Sequence, residues 1–122
     1  MAGKTEFFIP DCFYPNMQRA GDEYISHEAI CILNPSETDV TVDITLFFED
    51  REPMTGFITR CPAFRTHHIR MDRLKSVSGK GVPQGVPYAA RVRLSSPAIC
   101  QYSRCDTTQP NLSFMSAIAY SD

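Results

Sequence analysis

The residues with chemical potential begin at an adjacent pair, His27 and Glu28, inside the run Tyr24-Ile25-Ser26-His27-Glu28-Ala29-Ile30-Cys31-Ile32-Leu33-Asn34. This run is otherwise apolar and reads as a β-strand. An ionisable group inside an apolar strand costs free energy unless it is paired or still touches water. Two arrangements meet that demand. In one, the side chains take opposite faces, with Glu28 solvated and His27 hydrogen-bonded near an edge. In the other, a bulge aims both at a single site, where they serve a polar ligand as orientable donor and acceptor.

A second candidate is Arg65-Thr66-His67-His68-Ile69-Arg70. Strand alternation puts Arg65, His67 and Ile69 on one face and Thr66, His68 and Arg70 on the other. Zinc needs three or four converging ligands, and neighbouring histidines on a strand diverge. A metal would need His67 and His68 to join His27 or Cys61 across strands, so no metal site is expected. Arg65 and Arg70 suit an anion- or hydroxyl-binding patch, or a solvated edge strand. A third candidate is Gln101-Tyr102-Ser103-Arg104-Cys105-Asp106. Arg104 and Asp106 share a face and could pair, which would fix the guanidinium as a donor. No Gly-x-Ser-x-Gly elbow or phosphate loop is present, and the glycines at 79–85 lack the Lys-Ser/Thr of a P-loop. Catalysis and an organic cofactor are not expected.

The elements that must position these groups follow a period of two. Val40, Val42, Ile44, Leu46 and Phe48 share a face, opposite Thr41, Asp43, Thr45 and Phe47. An exposed Phe47 beside Thr45 would suit a subunit interface. Runs at 88–94, 98–104 and 112–120 alternate in the same way, and 56–60 and 65–71 read as shorter strands. Asn34-Pro35-Ser36, Glu52-Pro53, Cys61-Pro62, Pro87, Ser96-Pro97 and Pro110-Asn111 mark turns. Residues 71–75 suit one helical turn, and 75–87 read as a long mobile loop. The pattern predicts an all-β, antiparallel β-sandwich of about eight short strands, a single domain over residues 1–122.

Composition excludes several classes. Twelve Lys and Arg stand among fourteen Asp and Glu, giving a net charge of −2 and no basic block. Stable nucleic-acid binding is not expected, and a weak DNA-binding regulator is the remote alternative. Apolar runs stay far below the roughly 18 residues of a membrane span, so no membrane insertion is expected. Five cysteines cannot all pair within one chain and show no Cys-x-x-Cys spacing. They read as reduced thiols in a cytoplasmic protein, and the opening Met-Ala-Gly-Lys-Thr-Glu has no signal-peptide character.

With these residues laid out, the chain resembles the sensory rhodopsin transducer family along nearly its whole length. The match is carried by Ile25-Ser26-His27-Glu28, Cys31-Ile32-Leu33-Asn34, Val42-Asp43-Ile44-Thr45-Leu46 and Glu49-Asp50-Arg51-Glu52-Pro53. Pro62-Ala63-Phe64-Arg65-Thr66-His67-His68-Ile69-Arg70, Gln101-Tyr102-Ser103-Arg104-Cys105-Asp106 and Ser116-Ala117-Ile118-Ala119-Tyr120 continue it. The resemblance implies a non-enzymatic β-sandwich that forms a homotetramer and transfers a signal in the cytosol. Its partner would be a membrane sensor protein or a small polar, sugar-like ligand. Carried over by position, the ligand residues would be His27, Glu28, Asn34, Arg65, Arg70, Gln101, Arg104 and Asp106. Tyr102 or Phe64 would stack on a sugar face. The chain departs from the family pattern in having no tryptophan near Phe7, Cys12 in place of a glycine, and Tyr102 and Cys105 in place of a histidine and a leucine.

Overall fold

The computed structural model describes residues 2–15, 26–106 and 113–122. Tyr24, Ile25, Leu112 and the Pro110-Asn111 turn lie outside them. Among the described residues seven strands form: β1 (Lys4–Phe13), β2 (His27–Asn34), β3 (Val40–Phe48), β4 (Met54–Cys61), β5 (Arg65–Arg70), β6 (Pro87–Asp106) and β7 (Ser113–Ile118). All pairings are antiparallel, and no helix occurs among the described residues.

β6 organises the molecule. Its first half lies between β1 and β3, and its second half between β2 and β7. The sheet therefore curls into two halves, β1-β6-β3-β4 and β7-β6-β2-β5, which share one strand. Val42, Ile44, Leu46, Phe57 and Val92 from one half share a single buried core with Ile30, Ile32, Ile69 and Cys100 from the other. The even residues of β6 from Tyr88 to Tyr102 point inward without a phase break.

The expected turn at Ser96-Pro97 is instead the middle of this 20-residue strand. Proline cannot donate to a ladder. It is tolerated here because the β3 ladder ends at Leu94 and the β2 ladder begins at Ile99. β1 has no counterpart among the sequence-derived strands. Pro10 interrupts its pattern, and a register shift between Ile9 and Cys12 re-phases it, so that Phe7, Ile9 and Cys12 face in. The stretch expected as a mobile loop is pinned. Ser76 accepts at its Oγ from Lys80 N–H, Val77 N–H donates to Gly56, and Val82 and Ser76 are buried. The turn after β5 is made by Arg73 and Leu74 N–H groups donating to Arg70. Phe47 is not an open patch: the Arg91 guanidinium lies 5.4 Å from its ring centre, and Thr45 is buried.

Candidate functional site

Glu28 is 1% exposed and faces into the sandwich, opposite to His27 on the same strand. Three donors reach its carboxylate. The Phe13 N–H approaches Oε2 at 2.6 Å, the Tyr88 hydroxyl approaches Oε1 at 2.6 Å, and the Tyr102 hydroxyl donates to Oε2. Arg104 Nε donates to the Tyr102 oxygen at 3.0 Å, and its Nη2 lies 3.6 Å from Glu28 and 3.9 Å from Asp11. Tyr88 belongs to the half of β6 that pairs with β1 and β3. Tyr102 belongs to the half that pairs with β2 and β7. The carboxylate thus ties together the end of β1 and both halves of the shared strand.

Burial pushes the Glu28 carboxyl above the usual carboxylate range, and the hydroxyls of Tyr102 and Tyr88, the Phe13 amide and the Arg104 charge offset this only in part. Burial, followed by the charge of Glu28, drives Tyr88 upward, and Cys12 beside them rises for the same two reasons. Arg104 Nη2 is the exception to an otherwise satisfied cluster: it is buried and has no hydrogen-bond partner. A sugar could not stack on Tyr102, which is buried beneath the cluster.

The eight sequence-derived candidates do not form one site. Glu28 and Arg104 meet. His27 and Gln101 face outward on neighbouring strands, Gln101 in a shallow groove with Cys31, Leu33, Thr66 and His68. Arg70 is forked onto Asp72 with two 2.8 Å bonds. Asp106 ends β6 opposite Ser113. Asn34 and Arg65 sit at the far end of the sandwich. There Asn34 is a loop clamp. Its Nδ2 donates to Thr38 (2.8 Å), Cys61 (3.2 Å) and Pro62 (3.2 Å) carbonyls, and its Oδ1 accepts from Ser36 N–H and Oγ. His67 Nδ1 caps the Arg60 carbonyl at 3.0 Å, and His68 takes the other face. Among the described residues no three His, Cys, Asp or Glu side chains are grouped to hold a metal ion.

Sequence reasoning missed Tyr88, Asp11 and Phe13 as members of the cluster. The one available signal was Tyr88 at an inward position of the 88–94 run, because a buried tyrosine hydroxyl needs a polar partner. Two further surfaces are visible only in three dimensions. One is a cleft of about 400 Å³ lined by Asp11, Phe47, Phe48, Glu49 and Tyr88. The other is an apolar groove of about 240 Å³ between β1 and β7, bordered by Phe8, Met115, Ile118 and Tyr120. Every residue of β7 is exposed, with Phe114 at 70% and Ile118 at 72%. No helix among the described residues is long and apolar enough to cross a membrane.

No curated protein matches the chain. Two solved structures share its fold. The crystal structure of Thermotoga maritima 1070 has a TM-score of 0.87 at 29% identity, covering 100% of this chain and 97% of that one. The Anabaena sensory rhodopsin transducer has a TM-score of 0.74 at 29% identity, covering 83% of this chain and 87% of that one. The profile of the family described as Anabaena sensory rhodopsin transducer matches residues 2–121. With that span of sequence and the same curled sheet in both structures, the chain belongs to the Anabaena sensory rhodopsin transducer family.

Proposed function

We propose that this chain is a non-enzymatic, cytoplasmic signalling module that works by association, with copies of itself and with a membrane sensor protein. The observation that carries this reading is the contrast between interior and surface. The interior polar cluster is tied up internally, with carboxylate and hydroxyls bonded to one another, and presents no nucleophile beside a base. The surface instead exposes Phe8, Phe64, Phe114, Met115, Ile118 and Tyr120. Large apolar side chains gathered along an outer strand, as along β7, mark contact surfaces. Kinship with a protein called a sensory rhodopsin transducer supports a sensor as the partner. The homotetramer rests on the family resemblance. Light scattering tests it: assembly well above the 13.8 kDa chain is expected, and a monomer at every concentration would refute it.

One observation favours a second input, a small sugar-like or polyol ligand. Arg104 Nη2 makes no hydrogen bond, and the Arg104 side chain, 24% exposed beside the open Asp11 carboxylate, would satisfy it by turning toward a ligand hydroxyl there. Calorimetric titration with a panel of sugars and polyols is expected to give heat with the wild type and none with Arg104→Gln. Silence across the whole panel would remove the ligand and leave association as the signal.

A further inference from the structure

The outer face of the β7-β6-β2-β5 half carries a cluster that the buried carboxylate does not use. Strand pairing sets His27 of β2 directly opposite Cys105 of β6, and Phe114 of β7 opposite Cys105 on its other side. Glu28 and Arg104 meet on the inner side, so alternation turns His27 and Cys105 outward together. Side chains directly opposite on neighbouring strands have Cβ atoms about 5 Å apart, which brings an imidazole and a thiol within reach of each other. Both are half-buried. The row continues beyond His27. Ala29 pairs with Arg70, and the Met71 N–H still donates to Glu28 at 3.0 Å, so Asp72 comes alongside His27.

Arg70 and Asp72 give this row an electrical direction. They are forked together by two 2.8 Å bonds, and both side chains are largely covered. Burial opposes the Asp72 charge, but Arg70 and, more weakly, the charge of His27 hold the carboxyl below its usual range. Bonding to Asp72 raises Arg70, and the charge of Cys105 adds to this. The negative end of the ion pair thus serves the histidine, and the positive end serves the thiol. On the far side of Cys105, β7 offers Phe114 and Ser116, and Asp106 follows on the opposite face of β6. Cys31 supplies the contrast. It also faces a histidine, His68, but the rest of its row is Gln101 and Ile118, and burial pushes its thiol up despite a bond from Ser103.

We propose that Cys105 is a thiol modification site that takes a small disulfide, with His27 as its base. His27 accepts the Cys105 proton, and the Cys105 sulfur attacks one sulfur of the disulfide. A bond forms between those two sulfurs, the original disulfide bond breaks, and the leaving thiolate takes the proton back from His27. One thiol and one disulfide enter, and one mixed disulfide and one thiol leave, so no further oxidant is needed. Asp72 stabilises the imidazolium formed on the way, and Arg70 stabilises the thiolate. The site goes beyond the association reading above and does not depend on it.

The experiment is labelling of the native protein with glutathione disulfide, read by intact mass and peptide mapping at pH 7 and pH 9.5. At pH 7 Cys105 is expected to take the adduct at least tenfold faster than Cys31, and Cys105→Ser removes this fast phase. His27→Gln is expected to slow Cys105 at least tenfold at pH 7 and to leave Cys31 unchanged. Most of that effect should vanish at pH 9.5, where an ordinary thiol, with a pKa of about 8.5, ionises unaided. The ratio of Cys105 to Cys31 in the wild type needs no substitution, so it tests the site even where a variant loses stability. Cys31 labelled as fast as Cys105 at pH 7 overturns the site. A His27→Gln protein labelled at Cys105 at the wild-type rate, or slowed equally at both pH values, overturns His27 as the base.

Discussion

Replacing Tyr88 by Phe removes one hydroxyl and nothing else from the buried carboxylate cluster. Tyr88 is 3% exposed, so no water replaces the lost donor. Its bond to Glu28 Oε1 is 2.6 Å, within the short range of charge-assisted hydrogen bonds. A hydrogen bond to a charged acceptor contributes about 1.5–3 kcal/mol, and one to a neutral acceptor about 0.5–1.5 kcal/mol. While Glu28 is ionised, Tyr88→Phe should therefore cost about 2 kcal/mol, and once it is protonated the cost should fall to about 1 kcal/mol. The cluster also sets a sign. The folded Glu28 carboxyl titrates above its unfolded value, so the fold binds the proton more tightly than the unfolded chain does. The stability this group contributes is complete below the unfolded value of about 4.3. It declines as pH rises through the higher folded value, and this decline is absent from Glu28→Gln. Urea denaturation of wild type, Tyr88→Phe and Glu28→Gln at pH 5 and pH 8 reads both effects. The reasoning fails if Tyr88→Phe costs less than about 0.5 kcal/mol at pH 8, the lower limit for even a neutral bond. It also fails if Glu28→Gln keeps the full pH slope of the wild type.

Asn34→Ala strips three carbonyls and a serine of their partner. A loss of about 2–4 kcal/mol in thermal or urea denaturation is expected from several broken bonds at a buried site, and a change under 1 kcal/mol would mean that the loop holds itself. Cys12, Cys61 and Cys100 are buried, and burial pushes the Cys100 thiol up to about 12, whereas Cys31 and Cys105 are only half-buried. In the native protein an aromatic disulfide reagent should react with Cys31 and Cys105, and with the remaining three only after denaturant is added. Fast labelling of all five thiols without denaturant would contradict the core described here.

The antiparallel β class was legible because alternation is a local property. Val40 to Leu46 and Tyr88 to Leu94 carry their inward faces in the order of their residues, and the family resemblance rests on the same ordered segments. Three features were not legible. β1 hides behind Pro10 and a bulge, which move its third inward residue from 11 to 12. Ser96-Pro97 looks like a stop because proline lacks a donor, and only the hand-over between two sets of partner strands shows that no donor was needed there. Phe47 alternates outward, yet Arg91 from the neighbouring strand covers it.

The candidate site divides along the same line. From the sequence, Glu28 was an ionisable group that had to be paired or wet, and that much follows from desolvation alone. Which of the two holds depended on Tyr88 and Tyr102, 60 and 74 residues away. Asn34, Arg65 and Arg70 were chosen as polar residues in the right segments. The fold gives Asn34 to a loop and Arg70 to Asp72, and it leaves Arg65 at an exposed tip beside Phe64. Local order fixes which face of a strand a side chain takes. Partners across the sheet are fixed only when the chain closes on itself, because register and curl bring distant residues within hydrogen-bonding distance.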